Sequence, residues 1–158
     1  MPVLLVLFIT GCGFHLRGAY QLPEAMAKTY VQASNQNSEL IRSLKRSLKA
    51  NDVLLVENIT HATAILAVTS EAQNKRILSV DSSGRAREYE LSYGVSFNLQ
   101  DTASTIIVAQ QSLKLAREFL FDTEDILGKG REESTLIKDM QQDMVRLILL
   151  RLQSVRDE

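Results

Sequence analysis

Cysteine, histidine and long apolar runs are scarce in this chain, and each scarcity removes a class of protein. Cys12 is the only cysteine among 158 residues. One thiol builds no disulfide framework, so the core must hold the fold alone. The two histidines, His15 and His61, lie far apart in the sequence, with no acidic motif beside either. No spacing of His, Cys and carboxylates matches a metal site, and no G-x-S-x-G elbow offers a serine nucleophile. Gly128-Lys129-Gly130 has the look of a phosphate loop, but the full G-x-x-x-x-G-K-[ST] pattern is missing. Charge of one sign is lacking too: 18 basic residues nearly cancel 19 acidic ones, so no bulk field points toward nucleic acid. Repeats, low-complexity tracts and a second long apolar segment are all missing. What remains, 45% hydrophobic and 23% charged, can build one ordinary core. The chain reads as a binding or assembly protein and not as a catalyst.

The longest early apolar run, Val3 to Ile9, has seven residues, against the roughly 20 that a membrane-crossing helix needs. It has the length of a secretory signal core, and small residues follow it. Ile9-Thr10-Gly11-Cys12 resembles the bacterial lipobox, in which cleavage precedes the cysteine and its sulfur takes up diacylglycerol, followed by N-acylation. Residues 1–11 contain no Lys or Arg, although such a signal normally begins with one, and this points to a start upstream of Met1. The other reading of the run is a buried first strand with an ordinary cysteine. The lipobox reading divides the chain into a signal peptide, residues 1–11, and a single domain, residues 12–158. Gly13 stands where an Asp would favour retention in the inner membrane, so the expected location is the periplasmic face of the outer membrane.

Along the mature chain, Lys28 to Ala33 reads as a short strand. A helix follows in SELIRSLKRSLKAN, with Leu40, Ile41, Leu44 and Leu48 on one face. Arg42, Lys45, Arg46 and Lys49 occupy the other as a solvated stripe, the alternative being a dock for an anionic partner. Ser38 or Asn37 suits the N-cap and Asn51 a left-handed C-cap. VLLV after Asp52 suggests a short edge strand. A β-rich stretch from Ala64 to Val80 ends in the hairpin turn Asp81-Ser82-Ser83-Gly84. In YELSYGVSFNL, Tyr89, Leu91, Tyr93, Val95, Phe97 and Leu99 alternate strictly with polar or small residues, which predicts one buried face. A last long strand is expected over 105–121, then a loop, DTEDILGKGREES, and a final helix. The helix stripe is Leu136, Ile137, Met140, Met144, Leu147, Ile148 and Leu152, with Glu132 and Glu133 as dipole partners at its start. The economical architecture is an α+β two-layer sandwich with both helices on one face of a single sheet.

Several segments carry a likeness in order and spacing. CGFHLRG follows the lipobox; SLKRSLKANDVLLVEN, GRAREYELSYGVSFNL and AREFLFDTEDILGKGREESTLIKDM come after it. Together they resemble the lipopolysaccharide-assembly lipoprotein family, LptE, over most of the mature chain. The resemblance implies two helices against a mixed, mainly antiparallel four-stranded sheet. It also implies a non-enzymatic role without a cofactor beyond the lipid on Cys12: plugging and helping to assemble the outer-membrane β-barrel LptD, and taking part in lipopolysaccharide delivery. The family's proposed lipopolysaccharide contacts are basic residues at a strand turn and in the loop before the last helix. The second maps onto Lys129. The first departs, because Ser82 stands where the best-known relatives have Arg; Arg85 and Arg87 lie close enough to substitute. The competing function is a lipid-anchored periplasmic module that binds peptidoglycan or another envelope protein.

Overall fold

The computed structural model describes residues 20–121 and 126–155. Cys12 and its neighbours, the signal-like run included, lie outside the described residues. The chain forms β1 (Lys28–Ala33), α1 (Glu39–Ala50), β2 (Leu54–Leu55), β3 (Ala64–Val80), β4 (Ala86–Asp101), β5 (Ile106–Leu120) and α2 (Ile126–Ser154). One sheet has the order β2-β1-β3-β4-β5. β1 runs parallel to β2 and β3, while β3, β4 and β5 form an antiparallel meander. The sheet therefore has five strands instead of four. The additional one is β2, two residues long and held to β1 at Lys28↔Leu54 and Thr29↔Leu55.

Both helices cover one face of this sheet and share one hydrophobic cluster with it. α1 starts where Ser38 Oγ accepts the Ile41 N–H at 3.2 Å. It buries Leu40, Ile41, Leu44 and Leu48, the four residues its periodicity selects. Its end differs from expectation: Asn51 is not left-handed, and Asp52 takes that conformation at φ 62°. Asn51 uses its side chain instead, accepting the Tyr20 N–H at 2.7 Å and donating to the Ser47 carbonyl at 2.8 Å. The incoming chain is thereby pinned to the C-terminal end of α1.

β4 follows its alternation. Leu91, Tyr93, Val95, Phe97 and Leu99 are buried, with Phe97 at 0% exposure. β3 is interrupted by a bulge between Val68 and Ser70. Before it, Ala64, Leu66 and Val68 are buried. Beyond it, the register sets Glu71, Gln73 and Lys75 beside Val95, Tyr93 and Leu91, so polar side chains take over on the helix-facing side. At about 3.3 Å per residue, the 17 residues of β3 make the sheet about 56 Å long. One end, the base, carries the start of β1, β2 and the β4–β5 turn; the other, the tip, carries the β3–β4 hairpin.

α2 begins earlier than the sequence suggests. Residues 126–134, expected as loop, are its first turns, and Gly128 and Gly130 are helical. Each glycine costs about 1 kcal/mol relative to Ala, but packing and side-chain bonds offset this. Leu136 and Ile137 pack against the core, and Ser134 and Thr135 donate to the Gly130 and Arg131 carbonyls. The buried stripe also runs along Val145 and Leu149, with Leu147 only half-buried.

Candidate functional site

The tip gathers the residues to which the sequence draws attention. The hairpin turn is built by Asp81, whose Oδ1 accepts the Ser83 and Arg85 N–H groups at 2.8 and 2.9 Å. Gly84 closes it at φ 79°, a conformation that costs a residue without Cβ little. The Arg85 guanidinium returns to Asp81 Oδ2 at 2.8 Å. Arg85, chiefly through its backbone N–H, holds the Asp81 carboxyl below its usual range. Arg85 is thus partly neutralised by its own turn. Arg87 is exposed and has no ion-pair partner among the described residues.

Lys129 is not a loop lysine. It sits in the first turns of α2 and pairs with Glu132 at 2.8 Å, with only 22% of its side chain exposed. It lines a groove of about 410 Å³ together with Glu88, Phe119, Leu120, Glu132 and Leu136. Phe121 N–H donates to the Arg87 carbonyl at 2.7 Å, which sets the end of β5 beside Arg87. The three candidate cations therefore share one end of the molecule, although no contact joins them. Beside them Ile77, Leu78, Val80 and Leu120 are exposed.

Sequence reasoning missed Lys75. Its ammonium lies 4.3 Å from the centre of the Tyr89 ring, 5.3 Å from Phe119 and 5.9 Å from Phe121. Tyr89 stacks on Phe119 and meets Phe121 edge-on. Glu133 of α2 completes the cluster at 2.6 Å. Glu132 and Glu133 thus serve as ion-pair partners on two sides of α2 and not as first-turn dipole partners. The signal was available only through register: Lys75 pairs with Leu91, one inward position from Tyr89.

Nearer the middle, a polar hollow of about 460 Å³ lies between the bulge of β3 and the start of α1, with Asn35, Ser38, Glu71, Tyr93 and Gln141 in its lining. The Tyr93 hydroxyl donates to Glu71 Oε1 at 2.5 Å. Burial, then Glu71, raises the Tyr93 pKa well above that of free tyrosine. Among the described residues there is no cluster of His, Cys, Asp and Glu able to hold a metal, and no helix long and apolar enough to cross a membrane.

Solved structures similar to this one include bacterial lipoproteins. Rare lipoprotein B from Shewanella oneidensis matches with a TM-score of 0.71 at 25% identity, over 82% of this chain and 96% of that one. Lipoprotein B from Nitrosomonas europaea matches with a TM-score of 0.72 at 34% identity, over 87% and 88%. The class is therefore a bacterial lipoprotein domain of α+β architecture. The family follows from the sequence: the model described as "LptE: Lipopolysaccharide-assembly" matches residues 26–152, and the chain belongs to that family. The LPS-assembly lipoprotein LptE of Photorhabdus laumondii is 29% identical over 154 residues, covering 98% of this chain and 84% of that protein. Its counterpart in Pectobacterium atrosepticum is 24% identical over 153 residues, covering 96% and 82%.

Proposed function

We propose that this protein is a lipid-anchored, non-enzymatic lipoprotein of the outer membrane that works in lipopolysaccharide assembly. Cys12 carries the diacylglycerol and N-acyl chains, and residues 12–158 form the working domain. It plugs the lumen of the barrel LptD, helps that barrel to assemble, and contacts lipopolysaccharide on its way to the outer leaflet. Membership of the family supports the assembly role. The long sheet suits a plug, since about 56 Å from the 17 residues of β3 exceeds the roughly 30 Å hydrocarbon core of a bilayer.

The observation that carries lipopolysaccharide contact is the composition of the tip. Arg85, Arg87 and Lys129 stand beside exposed Ile77, Leu78, Val80 and Leu120. A lipid bearing phosphates and acyl chains needs both kinds of surface. Arg87 is the cation free to receive a phosphate. Arg85 and Lys129 can exchange their partners. In each pair one side chain is open to solvent, Arg85 at 64% and Glu132 at 45%. Such pairs contribute only about 0–1 kcal/mol, while a charged hydrogen bond contributes about 1.5–3 kcal/mol. The test is lipopolysaccharide binding by the detergent-solubilised lipoprotein and by its triple variant Arg85→Gln, Arg87→Gln, Lys129→Gln, with circular dichroism as folding control. Loss of one such contact predicts a tenfold or greater loss of affinity at about 1.4 kcal/mol per decade. Unchanged binding by the folded triple variant removes the tip from the account.

A further inference from the structure

The large apolar side chains exposed among the described residues fall at the two ends of the molecule and nowhere between. Four belong to the tip. The other four, Leu54, Ile59, Ile106 and Leu150, belong to the base. Leu54 sits on β2 opposite Lys28, and Ile106 opens β5 opposite Gln100. Ile59 lies in the turn that delivers the chain to β3, where Thr63 N–H donates to the Lys28 carbonyl. Leu150 lies in the last turns of α2.

The route of the chain says which end meets the membrane. Tyr20 is bonded to Asn51 at the C-terminal end of α1, which is the base. Cys12 precedes Tyr20 by eight residues, and an extended chain of that length reaches at most about 29 Å. A domain standing on its tip would hold Tyr20 roughly 50 Å above the surface by the strand rise, beyond that reach. A domain lying flat would press charged groups onto the bilayer. Arg76, Glu90, Lys114 and Glu118 share the open face of the sheet, and Arg42 and Lys49 line α1. Their desolvation opposes that pose.

We infer that the base is a membrane-docking surface: Leu54, Ile59, Ile106 and Leu150 rest on the phospholipid leaflet that holds the anchor, and the tip is held away from it. The inference rests on lipidation of Cys12. Each contact is weak by itself, but tethering makes docking intramolecular at a high effective concentration. The lipoprotein so held presents its long axis upright before any barrel surrounds it.

The chain contains no tryptophan, so a single introduced one reports its own depth. Ile59→Trp, Ile106→Trp and Val80→Trp replace side chains that are 44%, 68% and 56% exposed, where the fold has room for them. Each full-length variant is purified from membranes, its acylation checked by mass, and reconstituted in phosphatidylcholine–phosphatidylglycerol vesicles with and without brominated chains. The expected result is blue-shifted emission, strongly quenched by bromine, at positions 59 and 106, and unquenched emission at position 80. Acylated protein that floats with the vesicles but shows equal quenching at all three positions, quenching only at position 80, or none, overturns the docking while leaving the anchor in place. Protein that carries no lipid and does not float overturns the anchor and the docking together.

Discussion

Replacing Lys75 with Met keeps a long apolar stem in place and removes only the charge, so it measures what the ammonium contributes at the tip. The side chain is 32% exposed and that of Glu133 24%, too wet for a buried-pair energy and too enclosed for a freely solvated one. The ion pair then contributes about 0.5–1 kcal/mol. The three rings at 4.3, 5.3 and 5.9 Å add about 0.5–2 kcal/mol of cation–π attraction. Lys75→Met should therefore destabilise the domain by about 1–3 kcal/mol on combining these ranges. Urea unfolding of the wild type, Lys75→Met, Glu133→Gln and the double variant separates the terms. The coupling between 75 and 133 should be about 0.5–1 kcal/mol and weaken with salt, while the remainder, due to the rings, persists. Amide exchange should also rise in the first turns of α2, which Lys75 ties to the sheet. A change within about 0.5 kcal/mol of zero, the range of an ordinary surface substitution, would show that the ammonium contributes nothing net at the tip. It would mean that desolvation of the ammonium cancels both attractions.

Two further outcomes test the core and the hollow beside it. Phe97, fully buried in the cluster, should cost about 3–5 kcal/mol when truncated to Ala, read as a lowered denaturation midpoint at unchanged slope; a loss under about 1 kcal/mol would invert the sheet's faces. Tyr93, its pKa raised by burial and then by Glu71, keeps its proton when the unfolded chain has released it near pH 10. The unfolded state then binds fewer protons, so stability is fully present below about pH 10 and falls as pH rises above it. Tyr93→Phe should flatten that alkaline decline, and an identical pH profile in the variant would contradict the assignment.

The sequence made the core legible wherever periodicity and burial coincide. β1, the four buried residues of α1 and the alternation of β4 are where the pattern places them, because each element has one dry face and one wet face. The pattern misleads where a local preference loses to packing. Gly128 and Gly130 read as loop, yet Leu136 and Ile137 carry the helix back through them, so Lys129 sits on α2. Asn51 reads as the left-handed residue, but its amide is engaged with Tyr20 and Ser47, and Asp52 takes the strained conformation instead. Lys75 and Glu71 were out of reach for another reason. The bulge at Thr69 shifts β3 by one residue, and with it which side chains meet Tyr89 and Tyr93 across the sheet. Of the candidate cations, the sequence and the family likeness brought out all three, but not that Asp81 and Glu132 already engage two of them, leaving Arg87 free.

The proposed role places this lipoprotein inside an outer-membrane barrel. Its most direct test is affinity purification of the tagged full-length chain from detergent-solubilised outer membranes of its own host. One large β-barrel protein should be retained in equimolar amount through high-salt washing, with lipopolysaccharide in the eluate. Recovery of the lipoprotein without a barrel, together with co-sedimentation on purified peptidoglycan, would contradict that role.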